Sequence, residues 1–146
     1  MTKIAIQAEP FDIAAEIAAL SGGGNVGAVV TFTGHVRSDS TTTELNLEHY
    51  PGMTEREIAR HIADAEARWP LLGVTVIHRI GALKPGDAIV LVVTASAHRK
   101  AAFEAAEFLM DFLKTRAPFW KRETRGGETH WVDARQSDDA AAKRWE

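Results

Sequence analysis

Apolar positions along the chain change period repeatedly, and each change marks an element. Ile4 and Ile6 alternate within Lys3–Ala8, which predicts a short first strand. Behind Asp12, an N-cap residue type, Ile13, Ile17 and Leu20 recur at helical spacing until Ser21-Gly22-Gly23-Gly24 stops the helix. Gly27 to Gly34, GAVVTFTG, reads as a strand that leaves through His35-Val36-Arg37 into a loop of small hydroxylated residues at 38–43. Glu44 to Tyr50 alternates polar and apolar, with Leu45 and Leu47 on one face, so it predicts a half-buried strand.

Pro51-Gly52 turns the chain. Thr54-x-x-Glu57 has the form of a capping box before a helix with Ile58, Ile62, Ala65 and Trp69 inward, closed by Pro70. Val74 to Ile80 and Ala88 to Thr94 predict two strands joined across Leu83-Lys84-Pro85-Gly86-Asp87. The next helix is the element around which the chain is organised. Ser96 is its expected N-cap, Phe103, Ala106, Met110 and Leu113 form its buried face, Phe108, Leu109 and Phe112 widen that face, and Pro118 ends it. Thr124 to Val132 predicts a hairpin around Gly126-Gly127, and Ser137 an N-cap for a short helix ending in Trp145. Strands and helices interleave without strict βαβ repetition. The expectation is α+β: one domain over 1–146, with a mostly antiparallel sheet and packed helices.

Composition narrows the function. At 146 residues, 45% hydrophobic and 25% charged, the chain has the make-up of a soluble globular protein. No stretch has the apolar length of a membrane span, and MTKIAIQAEPFD lacks the zones of a signal peptide, so the cytoplasm is the expected location. A net charge of −3 argues against general nucleic-acid binding. Cysteine is absent, which removes disulfides, thiolate ligands and cysteine nucleophiles together; sulfur chemistry would need sulfur brought by a partner. Against the acidic whole, Lys114 to Arg125 carries five cations and the single anion Glu123, a patch suited to an anionic ligand or chain end.

Several chemical readings are weak. Gly22-x-Gly24-x-x-Gly27 fits a dinucleotide fingerprint as a string, but a helix precedes it and a strand comes after, the reverse of the order that fingerprint needs. The six histidines, at 35, 49, 61, 78, 98 and 130, include no i, i+4 pair on one helix, and no G-x-S-x-G elbow is present, so neither a metal nor a serine nucleophile is expected. Arg37, at the mouth of its loop, suits an anion clamp, but from this residue alone a solvated surface arginine is the preferred reading.

Lys114 and Lys121 are the more informative pair. If their amines converge, like-charge repulsion and burial lower their pKa values and one can act as a base or nucleophile; otherwise Lys114 and Arg116 complement the helix dipole and Lys121 is solvated. Arg99 and Lys114 lie 15 residues apart on one helix, about 22 Å at ~1.5 Å per residue. One small ligand cannot bridge that distance within a subunit. A site using both ends must be shared between two chains, which predicts a two-fold dimer.

The strings GAVVTFTGHVR, LEHYPGM, HRIGALKPGD, ASAHRKAAFEAAEFLMDFLKTRAPFWKRE and WVDAR together resemble the MoaE family, the large catalytic subunits of molybdopterin synthase. The likeness runs from Gly27 to Trp145 with the family's order and spacing. It implies an α/β-hammerhead-like fold and a sulfurtransferase of molybdenum cofactor synthesis, with no cofactor of its own. Two sulfurs would pass to cyclic pyranopterin monophosphate from the C-terminal thiocarboxylate of a small ubiquitin-like subunit, within a heterotetramer built on a homodimer. The resemblance assigns catalysis to Lys114 and Lys121, and substrate binding to Phe32, His35, Val36, Arg37, His98, Arg99, Met110, Arg122, Glu123 and Arg135. Arg122 departs from the family's common Lys-Lys-Glu triplet but keeps the charge. A non-catalytic dimer that binds a ubiquitin-like tail is the competing class, and a lysine Schiff-base lyase ranks third.

Overall fold

The computed structural model describes residues 1–37, 42–132 and 136–146. Among these residues, eight strands and four helices run in the order β1 (Thr2–Gln7), α1 (Ile13–Ser21), β2 (Ala28–His35), β3 (Thr42–His49), α2 (Met53–Arg68), β4 (Leu71–Arg79), β5 (Gly81–Leu83), β6 (Ala88–Ser96), α3 (Arg99–Thr115), β7 (Phe119–Arg125), β8 (Glu128–Val132) and α4 (Gln136–Lys143). They form two four-stranded sheets, β1-β4-β6-β2 and β5-β3-β7-β8. Only the β1–β4 pair is parallel, so the α+β, mostly antiparallel expectation holds, with two sheets where one was expected.

The first sheet is covered on both faces, which explains why β6 is apolar throughout rather than alternating. Val74, Val76, Val90 and Val92 face α2 and α3, where Ile58, Ile62, Leu109, Met110, Phe112 and Leu113 pack on them. Ile77, Leu91, Val93 and Ala95 face the other way, onto Leu20 and Ile13 of α1. A third cluster, Val36, Leu45, Leu47, Leu83 and Ile89, joins the two sheets.

Three capping expectations are corrected. Ser96 ends β6 and donates its hydroxyl to Pro70 O at 2.8 Å, while His98 is the N-cap of α3. Gly52, at φ +84°, caps α2, and its N–H donates to Glu55 Oε2 at 2.6 Å; the box sits two residues earlier than Thr54-x-x-Glu57. Thr54 serves tertiary structure instead, accepting from Tyr50 N and donating to Pro118 O, both at 3.0 Å. Ser137 lies inside the first turn of α4. Phe103 is 60% exposed, because Ala102, Ala105, Leu109 and Phe112 set the buried stripe of α3 and Phe103 flanks it. The predicted hairpin is longer: β7 starts at Phe119, since pairing with β3 extends a polar sequence that has no alternation of its own.

Candidate active site

The chain leaves β6 at Ser96 and α3 folds straight back over it, pinned by Thr94 Oγ1 donating to Ala102 O at 2.7 Å. The run from Arg99 to Lys114 is about 22 Å, against about 26 Å for Ser96 back to Ala88 at ~3.3 Å per strand residue. Lys114 therefore returns to the Ala88 end of β6, where His35 pairs with Ala88. His98 and Arg99, both exposed, stay at the far end.

After Lys114 the helix closes with Arg116 N–H and Ala117 N–H both donating to Phe112 O, at 2.8 and 3.1 Å. The turn is tied to α2 by the Thr54–Pro118 bond and feeds β7. Pairing with β3 then fixes which way β7 presents its residues: Phe119 opposes His49, Lys121 opposes Leu47, and Glu123 opposes Leu45. Phe119, Lys121 and Glu123 share one face, and Arg122 lies on the other. Arg122 pairs with Glu48 and stacks its guanidinium 5.3 Å from the Trp131 ring; Arg125 pairs with Glu123.

Beneath this corner lies His78, at the end of β4 and 5% exposed. Its ring stacks on Phe119 with centroids 3.9 Å apart and planes 17° from parallel. Nδ1 donates to Arg79 O at 2.8 Å, so Nε2 carries the lone pair. Burial pushes this imidazole down to about 4; the bond to Arg79 O opposes the shift, and the charges of Lys121 and Lys114 deepen it, with His49 adding a smaller share. A buried imidazole thus lies against the strand that carries Lys121. His49 Nε2 stands 3.4 Å from Glu55 Oε1, an ion pair when that imidazole is protonated.

The remaining predicted residues divide. Cα pairing lays Ile6, His78, Val90 and Gly34 in one row across the first sheet, so the His35-Val36-Arg37 exit lies at the same end as the lysine corner. His35 makes two long contacts, to Gly86 O and Thr33 Oγ1, each at 3.4 Å, and Arg37 is exposed. Val36 is buried among the third cluster, and its N–H and C=O are taken by Asp87 O and Gly86 N–H. Met110 is buried under α3, and Phe32 is exposed on the edge strand β2. Arg135 lies outside the described residues.

Sequence reasoning singles out neither His78 nor Phe119. A histidine inside the apolar strand LLGVTVIHR is the available signal, but taken alone it suggests only a metal ligand. Among the described residues no group of three or more histidine or carboxylate side chains converges as a metal site would. No described helix is long and apolar enough to cross a membrane.

A family described as MoaE protein matches residues 6–116. The chain belongs to the MoaE family. Over 97% of its length it is 60% identical to the molybdopterin synthase catalytic subunit of Mesorhizobium japonicum, covering 92% of that protein. The molybdopterin biosynthesis MoaE protein from Burkholderia ambifaria superposes with a TM-score of 0.85 at 49% identity, with 99% of this chain and 98% of that one covered. A protein complex of subunits 1 and 2 of molybdopterin-converting factor from Helicobacter pylori includes a chain of the same fold, at TM-score 0.75 and 23% identity over 92% of this chain and 91% of that one.

Proposed function

We propose that the chain is the catalytic subunit of a molybdopterin synthase, a cytoplasmic sulfurtransferase acting as one domain over 1–146 on cyclic pyranopterin monophosphate. Its sulfur donor is the C-terminal thiocarboxylate of a small ubiquitin-like subunit. The reading is supported by relatives that are molybdopterin synthase catalytic subunits, and by the placement of Lys114 at the end of α3 and Lys121 on the strand that follows, in a chain with no cysteine. A cationic corner without a thiol suits a reaction in which both donor and acceptor are anions and the sulfur arrives on the partner.

In this scheme Lys114 holds the thiocarboxylate and delivers a proton as its sulfur bonds to a side-chain carbon of the pterin and displaces an oxygen substituent from that carbon, and Lys121 stabilises the negative charge developing on the departing oxygen. Water then cleaves the acyl carbon–sulfur bond, sulfur stays on the substrate, and the tail leaves as a carboxylate. Two charged tails supply the two sulfurs. Arg37 and Glu123 approach from the same end of the sheet, while His98 and Arg99 of a second copy complete the phosphate and pterin contacts, because their own helix carries them about 22 Å from Lys114. The result is a homodimer with a small subunit on each half, a heterotetramer.

The test mixes the protein with thiocarboxylated small subunit and substrate and tracks the mass of the partner's C-terminus. Substrate-dependent conversion of thiocarboxylate to carboxylate that requires Lys114 supports the synthase. A stable complex with no sulfur loss would support a tail-binding module instead.

A further inference from the structure

The stack of His78 on Phe119 is the one aromatic contact joining the floor of the first sheet to the strand that carries Lys121, among the described residues. Residues i and i+2 of a strand share a face, so the ring that wedges Phe119 also fixes where the Lys121 stem leaves β7. Lys114 is set independently, by the last turn of α3. The ring's own position is overdetermined: β4 is paired on both sides, and Nδ1 is fixed on Arg79 O.

We infer that His78 is a positioning residue, whose flat ring, clamped between the first sheet and Phe119, sets Lys121 against Lys114. This rests on the synthase reading for its kinetic consequence, but the placement of the two amines is a property of the free protein. The imidazole does this without adding charge. Lys114 and Lys121 face it from α3 and β7 and His49 from β3, and together with burial they keep it neutral near pH 7. A protonated ring here would add a third positive charge to the corner that carries the two lysines.

Two variants separate shape from chemistry. His78→Phe keeps a flat ring against Phe119 and loses both nitrogens; His78→Asn keeps polar atoms and loses the ring. Lysine placement is read in the intact protein by pulse acetylation with acetic anhydride, as the labelling of Lys114 and Lys121 relative to Lys100, which is exposed in α3. Turnover is read as single-turnover sulfur loss from the thiocarboxylated small subunit.

His78→Phe is expected to keep both labelling ratios within about twofold and turnover within about threefold of wild type. His78→Asn should shift the Lys121 ratio by about threefold or more and slow turnover at least about tenfold, since small misplacements of reacting groups are costly. Its affinity for the small subunit should stay within about twofold. Unchanged labelling and turnover in His78→Asn, or a His78→Phe variant as impaired as His78→Asn, overturns the assignment. So does loss of small-subunit binding in step with turnover, which would make the ring a fold element only. If the wild type itself releases no sulfur, the synthase reading fails while the labelling ratios still decide the role of His78.

Discussion

The two ends of α3 are built in opposite ways. At the C-terminal end, β7 follows the exposed Lys114 after a short turn, its Phe119 stacks on His78, and the segment after α4 clasps the helix from outside. That clasp runs through Arg144 to Glu107 at 2.6 Å, Trp145 Nε1 to Asp111 Oδ2 at 2.6 Å, and Arg116 to Glu146. At the N-terminal end, His98 and Arg99 are exposed and the N-cap side chain makes no capping bond. One end is tied down by α2 and by the C-terminal segment. The other has charge and geometry without walls, as expected of a part completed by another molecule.

The difference is tested most severely by removing one charge at each end. Lys114→Ala should lower turnover by about 10²–10⁴-fold, the range for a positioned proton-transfer group, with small-subunit affinity nearly unchanged. Arg99→Ala should act on the KM for the phosphorylated substrate more than on the rate at saturation, and steady-state kinetics separate the two.

The closed end should also be the acid-sensitive one. The folded pKa of His78 lies at about 4, below the ordinary 6.5, so the unfolded chain binds more protons between those values. The stability this group contributes is complete above pH 6.5 and is lost as the pH falls towards 4, by up to about 3 kcal/mol. Urea unfolding of wild type and His78→Phe across that range should show the steeper loss in wild type. Parallel curves would remove His78 as the cause.

The open end depends on a close approach. A Cβ on Gly27 would lie 2.1 Å from Ala97 O, just before His98, so Gly27→Ala must push the entrance of α3 away from β2. A loss of about 1–3 kcal/mol in thermal or urea unfolding is expected, with substrate KM raised and Lys114 labelling unchanged. The smallest effect should come from the clasp. Asp111→Asn weakens its bonds to Arg144 and Trp145 for about 1 kcal/mol, read as a modest drop in melting temperature with turnover within a few-fold.

The periodic elements are legible in the sequence because their apolar faces repeat: Ile58, Ile62 and Ala65 on α2, and Leu109, Phe112 and Leu113 on α3, all pack as the spacing requires. Caps are less so. Ser96 and Thr54 have hydroxyls that fit a cap, but Pro70 O and Pro118 O, distant in sequence, claim them. The start of β7 is hidden for a related reason: WKRETR has no alternation, and only its pairing with β3 makes it a strand. The lysine corner is half visible. Lys114 and Lys121 stand out by charge, but the neutral ring beneath them comes from β4, more than thirty residues earlier, and only the register places it there.

Whether the open end of one α3 completes the closed end of another is tested most directly by subunit exchange. Lys114→Ala and Arg99→Ala proteins are mixed, allowed to exchange, and assayed for sulfur loss at substrate well below the raised KM of Arg99→Ala, where each parent alone is nearly inactive. Random 1:1 exchange leaves one intact composite site in half of the dimers, so about a quarter of the wild-type activity should return. No recovery, in a mixture shown by mass to contain the mixed dimer, would contradict a shared site.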